Sequence, residues 1–165
     1  MVDGPLTAGA VIGALIRHEG DVARLYRVYA GLFPALATFW EGLAADEDAH
    51  ARQLHQLAER MRKGEFALAP QHLKLGAISQ AMSLVENQFA LARCDPVTVG
   101  QALRAAIAIE AQTVEGIAFG QVTDVAVAPD VRQFLLSLRD AEERHRQVLQ
   151  AKLQEMAGPG AGKRR

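Results

Sequence analysis

Apolar residues recur at intervals of three and four along most of this 165-residue chain, and only a few Gly and Pro positions interrupt them. This spacing places apolar side chains on one face of an α-helix, whereas a half-buried β-strand would need strict alternation. In the first such stretch the repeating positions are Ile12, Leu15, Ile16, Val22, Ala23, Tyr26 and Ala30. The pattern therefore predicts an all-α protein built from long amphipathic helices.

The starts and stops of this pattern predict five helical segments, which are about 7–30, 34–63, 75–93, 96–120 and 130–156. Thr7 and Asp95 are the expected N-caps of the first and fourth segments. Pro34 and Pro96 suit first helical positions, and Gly64 suits the end of the second segment. Because the third segment occupies a long connector, we expect two antiparallel hairpins joined by a helical crossover, that is, a four-helix bundle.

The composition narrows the class of protein and its partners. Lys plus Arg number 18 against 19 Asp plus Glu, so a nucleic-acid or anionic-membrane partner is not expected. Cys94 is the only cysteine, which excludes a disulfide framework and favours a reducing, cytoplasmic location. No apolar run reaches the roughly 18 to 20 residues that span a bilayer. We expect residues 1–6 to be flexible, 7–157 to form one domain and 158–165 to be a disordered tail.

Two of the predicted helices contain the pattern Glu-x-x-His, with Glu47 and His50 in one and Glu142 and His145 in the other. Residues three apart lie on one helical face, about 5–6 Å apart at Cβ. A carboxylate and an imidazole at that spacing can bind the same metal ion. One such pair alone is usually a solvated helix face, but two in one chain indicate a metal site.

Glu19 and Glu110 each stand among the apolar positions of another predicted helix. An isolated ionised carboxylate there would cost several kcal/mol, so each must be paired, metal-bound or neutral. The alternative is a helix rotated enough for the glutamate to reach water.

The positions of these residues along the hairpins favour a shared site. If Phe33 is the midpoint of the first hairpin, Glu19 and Glu47 lie equally far from it along the chain. Glu110 and Glu142 are likewise equidistant from the centre of the second connection. At about 1.5 Å of rise per residue, each pair is therefore level across its hairpin.

Four carboxylates at one level would repel each other strongly unless cations balance their charge. Two divalent ions supply four positive charges, and two neutral imidazoles complete the coordination. Mixed carboxylate and imidazole ligands suit iron or manganese, and zinc can also occupy such a site.

One Glu on each of two helices and a Glu-x-x-His on each of two others resembles the ferritin-like di-iron carboxylate proteins, in particular the rubrerythrin branch. The resemblance extends over about residues 15–149 and implies that Glu47 and Glu142 bridge two iron ions. The implied metal ligands are Glu19, Glu47, His50, Glu110, Glu142 and His145. Tyr26, seven residues after Glu19, matches a family tyrosine that hydrogen-bonds near the metals, which makes it the candidate catalytic residue, although core packing explains it equally well.

The resemblance implies an oxidoreductase that reacts with peroxide or dioxygen, as a peroxidase or ferroxidase, and forms a homodimer. Rubrerythrins carry a further Glu three residues after the third-helix ligand, where this chain has Thr113, so the peroxidase interpretation is weaker. Their four-cysteine rubredoxin domain is absent, which implies an external electron donor. The alternatives are iron binding for storage or transfer, and a non-catalytic helical interaction module. His18, His55 and His72 have no carboxylate three residues earlier, so we expect them to be surface or capped histidines.

Overall fold

Every regular element that the structure describes is a helix. The structure is a computed structural model that describes residues 8–67, 75–116 and 128–158. Its elements are α1 (Ala8–Leu32), a 3₁₀ turn (Pro34–Leu36), α2 (Ala37–Arg62), α3 (Leu75–Cys94), α4 (Val99–Gly116) and α5 (Pro129–Ala157). The all-α prediction is confirmed. The expected Thr7 cap, the flexible N-terminus, the residues of the tail after 158 and the predicted continuation of the fourth helix to 120 lie outside the described residues.

The end of α2 follows the predicted chemistry, whereas its start differs slightly. Gly64 has a φ of 76° and donates its N–H to the carbonyl oxygen of Met61 at 3.0 Å, which is how a glycine closes a helix. Pro34 begins a 3₁₀ turn instead of an α-helix, and Leu36 donates its N–H to the carbonyl oxygen of Phe33 at 2.8 Å. The turn is therefore short enough to bring α1 and α2 together as a hairpin.

The predicted start of α4 at Pro96 is wrong, because the helix begins at Val99. Thr98 is the cap, and its hydroxyl oxygen accepts the backbone N–H of Gln101 at 3.3 Å. In return the Gln101 side-chain oxygen accepts the backbone N–H of Thr98 at 2.8 Å. This reciprocal pair is a capping box, which satisfies two N–H groups, whereas a start at Asp95 would leave Thr98 unused.

The helices pack as two pairs with α3 lying against one side of both. α1 packs along α2, α4 packs along α5, and α3 contacts α1 and α4. Two buried apolar clusters stabilise this arrangement. One contains Ile12, Leu15, Leu54, Ile78 and Leu135, and the other contains Tyr26, Tyr29, Trp40, Leu103 and Leu149.

A polar layer separates the two apolar clusters. On α1, Glu19 follows the first cluster's residues and precedes those of the second. On α2 the order is reversed, with Glu47 and His50 between Ala44 and Leu54. Packed side chains on both sides therefore keep bulk water away from this layer.

The outer faces of the described helices carry only scattered large apolar side chains. Those most exposed are Val28, Leu32, Leu91, Val148 and Met156. Within the described ranges, no helix combines the length and apolarity that crossing a membrane requires. Cys94 is a free, exposed thiol at the end of α3.

We expect Thr98→Ala to lower the free energy of unfolding by about 0.5–2 kcal/mol, because it removes the capping hydroxyl from α4. Urea denaturation of the metal-free protein measures this difference. Thr98→Ser keeps the hydroxyl and is the matched control, so equal stability of the Ala and Ser variants would contradict the capping role.

Candidate metal centre

Both Glu-x-x-His motifs converge in the polar layer. Glu47 and His50 of α2 meet Glu142 and His145 of α5, and one ligand atom from each residue lies within 4.8 Å of all the others. The two imidazole rings stack with their centroids 5.5 Å apart. All four residues are buried, so the sequence motifs form one site and not two solvated faces.

The motifs pair crosswise because α2 and α5 run antiparallel where they meet. Nδ1 of His50 lies 2.7 Å from Oε1 of Glu142, and Nδ1 of His145 lies 2.8 Å from Oε1 of Glu47. Within the motifs, the corresponding nitrogen-to-oxygen distances are 3.1 Å on α2 and 3.8 Å on α5. Glu47 and Glu142 therefore each face both imidazoles.

Glu19 and Glu110 join the same layer from α1 and α4. Each has only 1% of its surface exposed, so neither is turned out to water. Burial and the nearby charges of Glu47 and Glu142 raise the pKa values of both carboxyl groups, so the four carboxyl groups interact with one another. Both lie beyond the compact group of four, and their role as ligands stays a prediction.

Tyr26 lies at the edge of this layer, fully buried against Trp40 with ring centroids 5.4 Å apart. Its hydroxyl donates a hydrogen bond to Oε1 of Glu110. Burial raises the pKa of Tyr26 well above its ordinary value, and the contact with Glu110 adds to this effect. The tyrosine therefore stays protonated and holds this carboxyl group in place; a catalytic role for it stays a prediction.

The layer contains more acceptor atoms than protons to satisfy them. Oε1 of Glu19, Oε1 of Glu47, Oε1 of Glu142 and Nδ1 of His145 have no hydrogen-bond partner among the described residues. The 2.7 and 2.8 Å contacts to the imidazoles do not satisfy these oxygens as aligned hydrogen bonds. Buried acceptors that face one another without a donor are stabilised by a cation or a proton between them, so the residues present fit a bound metal ion.

Protons take the place of cations in the metal-free protein. Burial raises the pKa values of Glu19 and Glu110 well above the ordinary range, and the charges of Glu142 and Glu47 add to this effect. Both carboxyls are therefore neutral when no metal is bound.

Mutual contacts shift the pKa values of Glu47 and of the two imidazoles. Burial would lower the pKa of His50, but its contacts with Glu142 and Glu47 outweigh burial and raise this pKa to about 10. Burial would raise the pKa of Glu47, but its contacts with His145 and His50 lower this pKa to about 2. The pKa of His145 is likewise raised, because its contact with Glu47 outweighs burial. An imidazolium must therefore lose its proton before a metal can bind.

The histidines lie on the more accessible side of the layer. His50 is 8% exposed and His145 is 7% exposed, whereas the carboxylates are at 1%. A groove of about 320 Å³ between α2 and α5 reaches His50, and its lining includes Asp46, Gln53, Ser137 and Arg144. Oδ2 of Asp46 lies 3.4 Å from Nε2 of His145, so an exposed carboxylate stands behind this imidazole.

The expectation that His18 is a surface residue is wrong, since it is 1% exposed. Its position, three residues after Leu15 and four before Val22, places it in the apolar stripe of α1. That spacing was the signal that could have predicted its burial. His55 is exposed as expected, and His72 lies outside the described residues.

Comparisons with protein-family models, with curated proteins and with solved structures found no match to this chain. The sequence motifs and the geometry of the polar layer are therefore the basis for assigning a function. The motifs and the geometry together show a buried group of four residues that can hold a metal ion, namely Glu47, His50, Glu142 and His145.

We expect the gain in melting temperature on adding Mn²⁺ to grow between pH 6.5 and 9. His50 has a pKa raised from 6.5 to about 10, so its contribution to stability is present below pH 6.5 and is lost as the pH rises towards 10. Ionising Glu19 and Glu110 destabilises the metal-free protein in the same direction. Bound metal replaces these protons and removes the loss.

Differential scanning fluorimetry with and without Mn²⁺ at several pH values measures this gain. His55→Ala is the control, since it removes an exposed imidazole and should leave the pH dependence unchanged. A gain that is constant or falls with rising pH would show that protons and metal do not compete for this site.

Proposed function

We propose that this chain is a ferritin-like di-iron carboxylate protein of the oxidoreductase class. In this proposal α1, α2, α4 and α5 form a four-helix bundle, and α3 belongs to the crossover between its two hairpins. Two hydrogen bonds between α1 and α4 support it, one from His18 to Thr113 and one from Tyr26 to Glu110. Residue numbers decrease along α4 as they increase along α1, so the two helices run in opposite directions. Neighbouring helices in such a bundle run antiparallel in this way.

The observation that carries the proposal is the buried layer of four carboxylates and two imidazoles. Glu47, His50, Glu142 and His145 would hold two iron ions between α2 and α5, with Glu47 and Glu142 as bridges. Glu19 and Glu110 would each add one carboxylate from α1 and α4. Manganese or zinc fits the same donor set, because oxygen and imidazole ligands do not by themselves select one metal.

The proposed reaction is reduction of peroxide or dioxygen at the expense of ferrous iron. When bound, two ferrous ions would supply the two electrons that, with two protons, convert hydrogen peroxide to two waters. The apolar clusters on either side of the layer exclude water, and Tyr26 fixes the orientation of Glu110. The groove beside His50 is a route for a small oxidant. Electrons would return from an external donor protein, and a homodimer is the proposed assembly.

Iron binding for storage or transfer is the second candidate, and it uses the same six residues. The accessible side of His50 and His145 favours it, since an ion in transit needs a way to leave. The two candidates differ in how fast bound ferrous iron reacts and with which oxidant. A third hypothesis is a non-catalytic helical interaction module. It does not explain why four carboxylates are buried together.

We expect Glu142→Gln to lower the affinity for Mn²⁺ by more than about tenfold, because it removes a proposed bridging charge. Glu143→Gln is the matched control. Glu143 is the neighbour of Glu142 in the sequence, but it is paired with Arg146 at 2.7 Å and lies outside the cluster. Metal analysis after dialysis and circular dichroism measure content and folding. Two metals retained in a folded Glu142→Gln protein would rule out the proposed centre.

Glu110→Ala should also lose most of its metal yet stay helical, because removing one buried carboxyl relieves repulsion in the metal-free layer. Full metal retention in this variant would remove Glu110 from the ligand set while leaving the group of four in place.

We expect anaerobic, ferrous-loaded protein to be oxidised at different rates by hydrogen peroxide and by dioxygen. Stopped-flow absorbance measures both rates, and Tyr26→Phe tests whether fixing Glu110 affects them. Equally slow oxidation by both reagents, with stoichiometric iron binding, would reject the enzyme and favour storage or transfer.

A further inference from the structure

A second buried polar contact joins α1 to α4 beside the proposed centre. Nε2 of His18 lies 2.8 Å from the hydroxyl oxygen of Thr113, and both residues are 1% exposed. His18 directly precedes Glu19, and Thr113 lies three residues after Glu110. The contact therefore links the two helices that contribute single carboxylates to the layer.

Hydrogen-bond geometry fixes which ring nitrogen of His18 carries the proton. The Thr113 hydroxyl lies 3.0 Å from the carbonyl oxygen of Ile109, which can only accept. If Nε2 of His18 donates to Thr113 and Thr113 donates to Ile109, two hydrogen bonds form. The reverse assignment makes one hydrogen bond and leaves a buried N–H at Nδ1 without an acceptor, which folded proteins rarely tolerate.

Nδ1 of His18 consequently presents a lone pair. This nitrogen is buried and has no hydrogen-bond partner in the part of the chain that the structure describes. An imidazolium would leave a second buried N–H at Nδ1 without an acceptor, so the imidazole is neutral. His18 directly precedes Glu19 on α1, between the residues of the two apolar clusters, so its ring lies at the height of the polar layer.

This is the arrangement by which proteins hold a histidine that binds a metal. A ligating imidazole usually donates its other ring N–H to an oxygen, which fixes the tautomer and leaves the free nitrogen for the ion. Here that oxygen belongs to Thr113, whose own proton goes on to Ile109. A neutral seventh donor also preserves the balance between four carboxylates and two divalent ions, which a further carboxylate would disturb.

We propose that His18 is an additional ligand of the metal centre, binding through Nδ1, with Thr113 as the residue that positions it. This inference rests on the proposed function, because it assumes that the layer binds metal. It assigns His18 and Thr113 to the α1–α4 side of the layer, whereas His50 and His145 supply imidazoles from α2 and α5.

The direct test counts the histidines whose Nδ1 binds metal in the unaltered protein. Zn²⁺ is the probe, because it is diamagnetic, and long-range ¹H–¹⁵N spectra of ¹⁵N-histidine-labelled protein follow each ring. We expect the Nδ1 signals of His18, His50 and His145 to shift together, while exposed His55 does not. Shifts at His50 and His145 alone would overturn the role of His18 and leave the proposed function intact. No shift at any of the three would overturn both.

A variant gives the second measurement. His18→Phe keeps a buried ring but removes both nitrogens, and it should weaken one of two Zn²⁺ equivalents by at least about tenfold. Thr113→Val removes only the positioning hydroxyl and should have a smaller effect on the same equivalent. A packing role for His18 would change the melting temperature of the metal-free protein without changing Zn²⁺ affinity, and that result would overturn the proposal.

Discussion

Mutual repulsion among four buried carboxylates is the constraint on which the rest of the structure depends. Glu19, Glu47, Glu110 and Glu142 are all 1% exposed, so water cannot screen them. Without metal, the raised pKa values of Glu19 and Glu110 favour their neutral forms, and the raised pKa values of His50 and His145 favour imidazolium ions, which offset the charge of the other carboxylates. With metal, cations take over this role. The chain therefore has one layer whose stability depends on what positive charge occupies it.

The architecture is organised around that layer. Apolar clusters on both sides supply the burial that stabilises the helices, and they also deprive the carboxylates of solvent. α3 packs against α1 and α4, while a groove reaches His50 between α2 and α5. The same packing that stabilises the fold thus removes solvent from the carboxylates and leaves the polar layer accessible beside His50.

Helical periodicity was sufficient to predict the class of fold and most helix bounds, because a stripe of apolar residues over 18 to 29 positions has one interpretation. It did not predict the start of α4, since the choice between Asp95 and Thr98 as cap depends on which side chain meets Gln101. The burial of Glu19 and Glu110 followed from the same periodicity. The burial of His18 was not predicted, because the prediction used the absence of a carboxylate three residues earlier and not the position of His18 in the apolar stripe of α1. Its tautomer requires the distances to Thr113 and Ile109, which no sequence pattern contains.

The seam between α2 and α5 differs from the other helix contacts. α1 packs against α2 along its length, and α4 packs against α5, but α2 and α5 approach each other at few points. Glu47, His50, Glu142 and His145 face one another across this contact, so the groups that would bind the ions also link α2 to α5. Binding of metal would then tighten the contact between α2 and α5, and loss of metal would loosen it. The rigidity of this contact would therefore depend on whether the centre is occupied.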